Sequence, residues 1–337
     1  MSKEKSRVFS EINKLGKRRT PFIFITDFEL DSPFVIPLDT LDSEKIRYSM
    51  NDDFLEYRNY LEDLSIPETS IKLQRRPLSF TRFERAFNIV WDNLKRGNSF
   101  LTNLTAESSV SSNWGLETIF QQCKSKYKLY WKDKFLCFSP ETFVQIDEGG
   151  KISSFPMKGT IDADIQEAES IILNDAKEKY EHTTIVDLIR NDLSKVADKV
   201  WVERFRYLEK INKEDGSALL QVSSEVCGQL KADWKDRIGD ILFDLLPAGS
   251  ISGAPKPKTL EIIKEAEKLT FEGGSRGYYT GVFGVFDGEK MNSAVMIRFI
   301  EQRGEKLIFK SGGGITFRSD AQKEFEELIS KIYVPVF

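Results

Sequence analysis

The sequence predicts one large globular domain in which sheet and helix are mixed, on three observations. At 337 residues, with 40% hydrophobic and 12% aromatic side chains, the chain can bury a sizeable core, and large mixed sheets often reach this size as one unit. Turn sequences at Asp147-Glu148-Gly149-Gly150 and Asp287-Gly288 join strand-like runs as hairpins. Between such runs stand amphipathic stretches at helical spacing, the clearest at 81–95.

Composition excludes several classes. A net charge of -4 and a pI near 5.5 supply no basic field for a polyanion, so nucleic acid is not an expected partner. Cys123, Cys137 and Cys227 are far apart and lack metal-ligand spacing, as suits buried thiols in a reducing compartment. The start, Met1-Ser2-Lys3-Glu4-Lys5, lacks a signal-peptide core. No window approaches the ~20 apolar residues of a membrane helix. A cytoplasmic protein with no membrane partner is the expectation.

In chain order, 22–25 and 34–36 read as strands separated by the Asp31-Ser32-Pro33 turn, within a stretch that is otherwise polar and basic. Residues 44–78 are charged and weakly patterned, compatible with a long connection or a helix. Residues 1–78 are expected to supply strands and a connection to the same domain as the catalytic core at 79–337. Across 81–95, Phe83, Ala86, Phe87, Val90, Trp91 and Leu94 recur at helical spacing, with Thr81 as cap and Gly97 as terminator. Strand alternation follows at 99–110, 128–138 and 142–146, with a helix at 115–123. The 147–150 turn leads through 151–155 into Pro156-Met157-Lys158-Gly159-Thr160. Glu141 starts one arm of this hairpin and Lys158 follows the other, so the two can meet. Taken alone, Lys158 reads as an ordinary surface lysine, although Pro156 limits pairing and Gly159 permits close backbone approach.

Residues 164–180 read as a helix, continued from Glu181 through Ile185, Val186, Leu188, Ile189 and Leu193. His182 is the only histidine, which leaves no second imidazole for a zinc site. A strand at 218–230 and a helix at 234–246 precede a small-residue loop at 247–256 that opens onto a helix at 258–269. That loop either only connects or offers its N–H groups to an anion. Strands at 282–286 and 293–300 form the second hairpin, and Arg298 within the latter must face water or pair with an anion. A strand at 306–310 ends in Gly312-Gly313-Gly314, and a helix at 321–333 carries Glu324, Glu327 and Lys331 on one face. A solvated surface is the ordinary reading of such a face.

Together these pieces make an inventory for an anionic, metal-assisted substrate. The ordered motifs Ser139-Pro140-Glu141, Pro156-Met157-Lys158-Gly159-Thr160, Glu181-His182 with Ile185 to Leu193, Gly249-Ser250-Ile251-Ser252-Gly253-Ala254-Pro255-Lys256, Arg276-Gly277-x-Tyr279-x-Gly281 and Gly312-Gly313-Gly314-Ile315 resemble those of the chorismate-utilising enzymes. The resemblance spans roughly residues 80 to 335. It implies a single α+β domain with two large, mostly antiparallel β-sheets packed face to face and helices outside.

Within that family the lysine in Pro-x-Lys-Gly-Thr is similar to the aminodeoxychorismate synthase branch, where anthranilate synthases carry a small residue. Met157 replaces the usual isoleucine. The resemblance implies that Lys158 adds to C2 of chorismate as the C4 hydroxyl leaves, with Glu141 as general acid, and that ammonia then adds at C4 and expels the lysine. This requires a neutral amine, which a partly desolvated pocket would favour by lowering its pKa.

It also implies Mg²⁺ held by Glu181 and Glu327, with Glu324 as the second acid of the helix motif. Thr160, Tyr279, Arg298, Lys331 and the backbone of Gly313 and Gly314 fall at substrate-binding positions. Ser252 stands where threonine is usual. Gln221, ahead of Ser224, stands where a histidine is common, and glutamine hydrogen-bonds without carrying a proton.

The implied product is 4-amino-4-deoxychorismate, for para-aminobenzoate and folate synthesis. Its nitrogen would come from a glutamine amidotransferase subunit or free ammonia, since the one histidine lies in the Glu181 motif and leaves none for a glutaminase triad. No lyase segment is expected, and neither is tryptophan inhibition, because regulated relatives have additional N-terminal sequence. The alternatives are an anthranilate or isochorismate synthase, or a noncatalytic chorismate-binding subunit.

Overall fold

A computed structural model describes residues 3–61, 69–212 and 218–336, so part of the 44–78 segment, at 62–68, lies outside the described residues. Among the described residues the chain builds two nine-stranded sheets with antiparallel pairing. In the first, the order is Met157–Asp162, Ala218–Gln229, Lys151–Ser154, Thr142–Ile146, Met291–Val295, Val282–Phe286, Phe22–Thr26 and Phe34–Pro37, with Lys199–Asn212 also on Ala218–Gln229. The second runs Gly253–Ala254, Leu101–Ser112, Lys306–Ile315, Phe299–Arg303, Phe135–Ser139, Tyr127–Trp131, Ile46–Met50 and Tyr57–Arg58, with Leu73–Arg76 on Leu101–Ser112.

The side-chain period of two explains how the layers stack. In Phe22–Thr26, Ile23 and Ile25 point inward to Tyr48, Leu129 and Phe299 of the other sheet, so the sheets pack face to face. Phe22 and Phe24 point outward, where helices Lys3–Lys17, Ala176–Leu193 and Ile238–Leu245 cover them. Both faces being covered, the strand is apolar as far as Ile25 and fully buried. Each such side chain contributes about 1.5–3 kcal/mol. Helices Phe80–Lys95, Lys256–Ala266 and Ala321–Ser330 cover the outer face of the second sheet through Leu104, Ala106 and Ile315. No helix among the described residues is long and apolar enough to cross a membrane.

Several expected elements differ. The 81–95 helix is capped by Ser79, whose side chain accepts from the Arg82 N–H, rather than by Thr81. The helix at 164–180 breaks at Asp175, which caps a new helix by accepting from Glu178 N at 2.8 Å. The 128–138 strand folds into a tight hairpin around left-handed Asp133. The described residues of 44–78 add Ile46–Met50, Tyr57–Arg58 and Leu73–Arg76 to the second sheet, in place of the expected connection or helix. The glycine run does not end its strand: Gly312 lies within Lys306–Ile315, where a Cβ would run into the Leu104 carbonyl.

One difference positions the site. The strand expected at 293–300 is two strands, Met291–Val295 in the first sheet and Phe299–Arg303 in the second, joined by a corner with Arg298 at φ 53°. The chain also changes sheet between Ser139 and Thr142, through Glu141. The two corners lie side by side, Phe138 N donating to Arg298 O and Val295 N to Glu141 O, each at 3.1 Å.

Candidate active site

Strand Met157–Asp162 slips register against Ala218–Gln229 between Met157 and Thr160, and Gly159 sits there at φ +93°. At this bulge Lys158 turns toward the helix Ala176–Leu193, and its Nζ lies 2.9 Å from Oε2 of the buried Glu181. Glu178, one turn earlier, stands over Gly159, with its Oε2 buried and without a hydrogen-bond partner. Burial pushes the Lys158 amine down, but the carboxylates of Glu181, Glu178 and Glu327 outweigh it and hold the pKa above the usual lysine value. The protein alone therefore keeps this amine charged, contrary to the lowered pKa expected of a desolvated pocket.

His182 anchors the same turn. Its Nε2 lies 2.7 Å from Ser224 Oγ and its Nδ1 3.4 Å from the Lys158 carbonyl. The Lys158 carbonyl can only accept, so Nδ1 carries the ring proton and Nε2 accepts from Ser224 Oγ, which itself accepts from Arg206 N. Burial lowers the imidazole pKa to about 4.

The second acidic element is Ala321–Ser330. Lys331, which caps it, puts Nζ 2.7 Å from Glu327 Oε1 and 2.9 Å from the Gly312 carbonyl. Burial lifts the Glu324 carboxyl, and the charge of Glu327 adds to the rise. On Glu327 burial acts in the same sense, but Lys331, Lys158 and Lys177 outweigh it and hold that carboxyl low. A Cβ on Gly313 would stand 3.4 Å from Lys331 Nζ, 3.6 Å from Glu327 Oε1 and 3.7 Å from Glu324 Oε2. The bare glycine thus leaves a cradle beneath three charged groups. Gly314 continues the strand opposite Asn103, whose Oδ1 is buried and unpartnered.

Glu141 accepts from Ser250 Oγ, and burial raises its pKa against the pull of Ser250, Arg298 and Lys331. Arg298 lies over the Tyr333 ring. Tyr279 is buried near Arg298 and Glu141, and burial pushes its phenol well up. No ion pair or hydrogen bond joins Glu141 to Lys158 among the described residues. The hairpin does not bring them together because Met157–Asp162 pairs with Ala218–Gln229 rather than with Thr142–Ile146. Their link runs through Glu327, which acts on Lys158, and its partner Lys331, which acts on Glu141.

Ser252 turns its hydroxyl inward to the Ala248 carbonyl at 2.9 Å. Thr160 and Gln221 face one another in register on neighbouring strands, and no hydrogen bond ties either to the charged cluster among the described residues.

A family model for chorismate binding enzymes matches residues 29–336. The chain belongs to the chorismate binding enzymes. A protein of Pasteurella multocida named an uncharacterized PabA-like protein is 50% identical over 326 residues, 97% of each chain. Anthranilate synthase component 1 of Aquifex aeolicus is 35% identical over 207 residues, 59% of this chain and 39% of that one. Aminodeoxychorismate synthase component 1 of Bacillus subtilis is 29% identical over 272 residues, 76% of this chain and 55% of that one.

For this chorismate binding enzyme the fit of a metal rests on donor chemistry. Among the described residues no three His, Cys, Asp or Glu side chains are drawn close enough to hold an ion as they stand. The donors are nevertheless hard carboxylate oxygens, those of Glu324 and Glu327 at the Gly313 cradle and that of Glu181 beside Lys158. That donor type is the one magnesium takes.

Sequence reasoning passed over Glu178, whose three-residue spacing from Glu181 was the available signal. It also passed over the support behind the 247–256 loop. The buried Asp192 and the mostly buried Lys256 pair there at 2.7 Å, so the Lys256 amine is committed to the fold. Arg276 donates to the Ile251 carbonyl at 2.8 Å.

Proposed function

We propose that the protein aminates chorismate at C4, giving 4-amino-4-deoxychorismate, with Lys158 as covalent nucleophile. The observation that carries this reading is the amine of Lys158 set 2.9 Å from Glu181 at a bulge facing the acidic helix, in a chain of the chorismate binding family. The neutral amine adds to C2, the ring double bond shifts, and the C4–O bond breaks. Glu141, whose raised pKa suits an acid, protonates the departing hydroxyl as water. Ammonia then adds at C4, its surplus proton returns to Glu141, and the C2–N bond to Lys158 breaks.

Glu181, Glu324 and Glu327 would hold Mg²⁺, which would supply positive charge for a substrate carboxylate and offset acids that otherwise keep Lys158 charged. With Glu181 and Glu327 so offset, burial of the lysine would favour the neutral amine, opposed only by Glu178. To the substrate carboxylates we assign Arg298, Tyr279, Lys331, Thr160, Gln221, Ser252 and the Gly313–Gly314 backbone. Ammonia would come from a glutamine amidotransferase partner or from solution, since His182, the only imidazole in this sequence, is buried and committed to Ser224.

The Aquifex relative favours a second reading, anthranilate synthesis. Incubation with chorismate, Mg²⁺ and ammonium separates them by product. Without ammonia, intact-mass analysis should detect a chorismate-derived adduct that Lys158→Ala abolishes. Anthranilate as product, or undiminished ammonia-dependent turnover by K158A, would overturn the proposal.

A further inference from the structure

Ser250 stands in the single 3₁₀ turn Gly249–Ile251, and its hydroxyl donates to Oε1 of Glu141. Both partners of this hydrogen bond are fixed from behind. Gly249 is pressed against the helix Ala176–Leu193, where a Cβ would stand 2.8 Å from Asp192 Oδ2. Ser252 Oγ donates to the Ala248 carbonyl at 2.9 Å, and Arg276 Nη1 to the Ile251 carbonyl at 2.8 Å. On the other side, Glu141 N donates to Ser139 Oγ and Glu141 O accepts from Val295 N, each at 3.1 Å. A carboxylate on a sheet corner thus faces a hydroxyl on a pinned turn, and neither backbone can drift.

We infer that Ser250 is the positioning residue for Glu141, holding Oε1 so that Oε2 is the oxygen that carries the transferable proton. The inference rests on the amination reading, in which Glu141 protonates the leaving hydroxyl. Among the described residues Oε2 accepts no hydrogen bond from the protein, whereas Oε1 is occupied. A hydroxyl donated to a carboxylate favours its ionised form, so Ser250 limits how far burial can raise the acid. It shares that task with the cations Arg298 and Lys331, while Tyr279 faces the same carboxyl with a neutral phenol.

The test compares the full-length wild type with Ser250→Ala and Ser250→Thr, using the infrared band of a protonated carboxyl that Glu141→Gln lacks. Loss of the hydroxyl should move the midpoint of that band upward by about one pH unit in S250A. S250T, which keeps the hydroxyl, should restore the wild-type midpoint and so exclude a general disturbance of the fold. In chorismate consumption, read without regard to product, S250A should lower kcat about tenfold with little change in KM, a fraction of the 10²–10⁴-fold that proton donors contribute. Its basic limb should move upward with the infrared midpoint. Coincident midpoints for S250A and wild type would overturn the assignment. Failure of the amination reading shows separately, as a wild-type protein that consumes no chorismate or makes another product, and the infrared titration decides the role of Ser250 in that case too.

Discussion

Arg276 and Glu267 meet as a two-pronged ion pair wholly out of solvent, Nε to Oε2 at 2.8 Å and Nη2 to Oε1 at 2.7 Å, with the two side chains 0% and 3% exposed. The guanidinium also holds the carbonyls of Asn103 and Ile251, and Glu267 Oε1 accepts from Thr105 N and Oγ1. One pair therefore ties the second sheet to the loop that presents Ser250. Removing either partner strands a buried charge, so Arg276→Ala or Glu267→Ala should each cost about 3–5 kcal/mol in urea unfolding. The double variant Arg276→Met with Glu267→Leu should cost less than the two singles added together. Single losses near zero would show that the pair is dispensable.

Gly159 is required twice over. Its φ of +93° is one that side chains rarely adopt, and a Cβ there would stand 2.9 Å from Glu178 Oε2. Gly159→Ala should lower stability by about 1–3 kcal/mol. By shifting Lys158 and Glu178 together it should also lower chorismate consumption by about 10²-fold. Circular dichroism should stay close to wild type. Unchanged kinetics in G159A would mean that the bulge does not place the lysine.

What could be read from the sequence follows from how local each signal is. The 142–154 and 282–295 hairpins were legible because Asp-Gly-type turns and alternating residues lie within a few positions of each other. The strand Lys199–Asn212 was not, since it pairs on one side only and its charged residues face solvent, which erases the alternation. Arg298 was placed in a strand because nothing local marks a change of sheet, yet that corner is what sets it beside Glu141. Lys158, Glu181 and Glu327 are singled out by ordered motifs. The charge balance that keeps Lys158 protonated rests first on Glu181 and then on Glu178 and Glu327, and a charged helix face reads as surface until the opposite strand is known.

Gly313 should separate binding from folding. A Cβ would meet Lys331, Glu327 and Glu324 at 3.4–3.7 Å, ordinary contact distances, and the backbone there is ordinary strand. Gly313→Ala should therefore leave the melting temperature near wild type. The added methyl fills the space proposed for a substrate carboxylate, so KM for chorismate should rise about tenfold, equivalent to ~1.4 kcal/mol, with kcat less affected. A wild-type KM would place the carboxylate elsewhere.

His182 sets an acid limit on stability. Its pKa falls from 6.5 to about 4 in the folded chain, chiefly through burial, so the native state keeps the imidazole neutral where the unfolded chain protonates it. Between those values the unfolded state binds more protons, and stability must drop as pH falls through the window. The full effect is about 3 kcal/mol, from ~1.4 kcal/mol per pH unit. Burial raises Glu29, Glu141 and Glu324, which favours the folded state on acidification and opposes the trend. The comparison must therefore be wild type against His182→Gln. Urea unfolding should show the difference in unfolding free energy between the two shrinking from about pH 7 to about pH 4.5, because only wild type carries the imidazole. A constant difference across that range would mean that His182 titrates in the folded protein as it does in a free chain, and that its bonds to Ser224 and the Lys158 carbonyl do not persist.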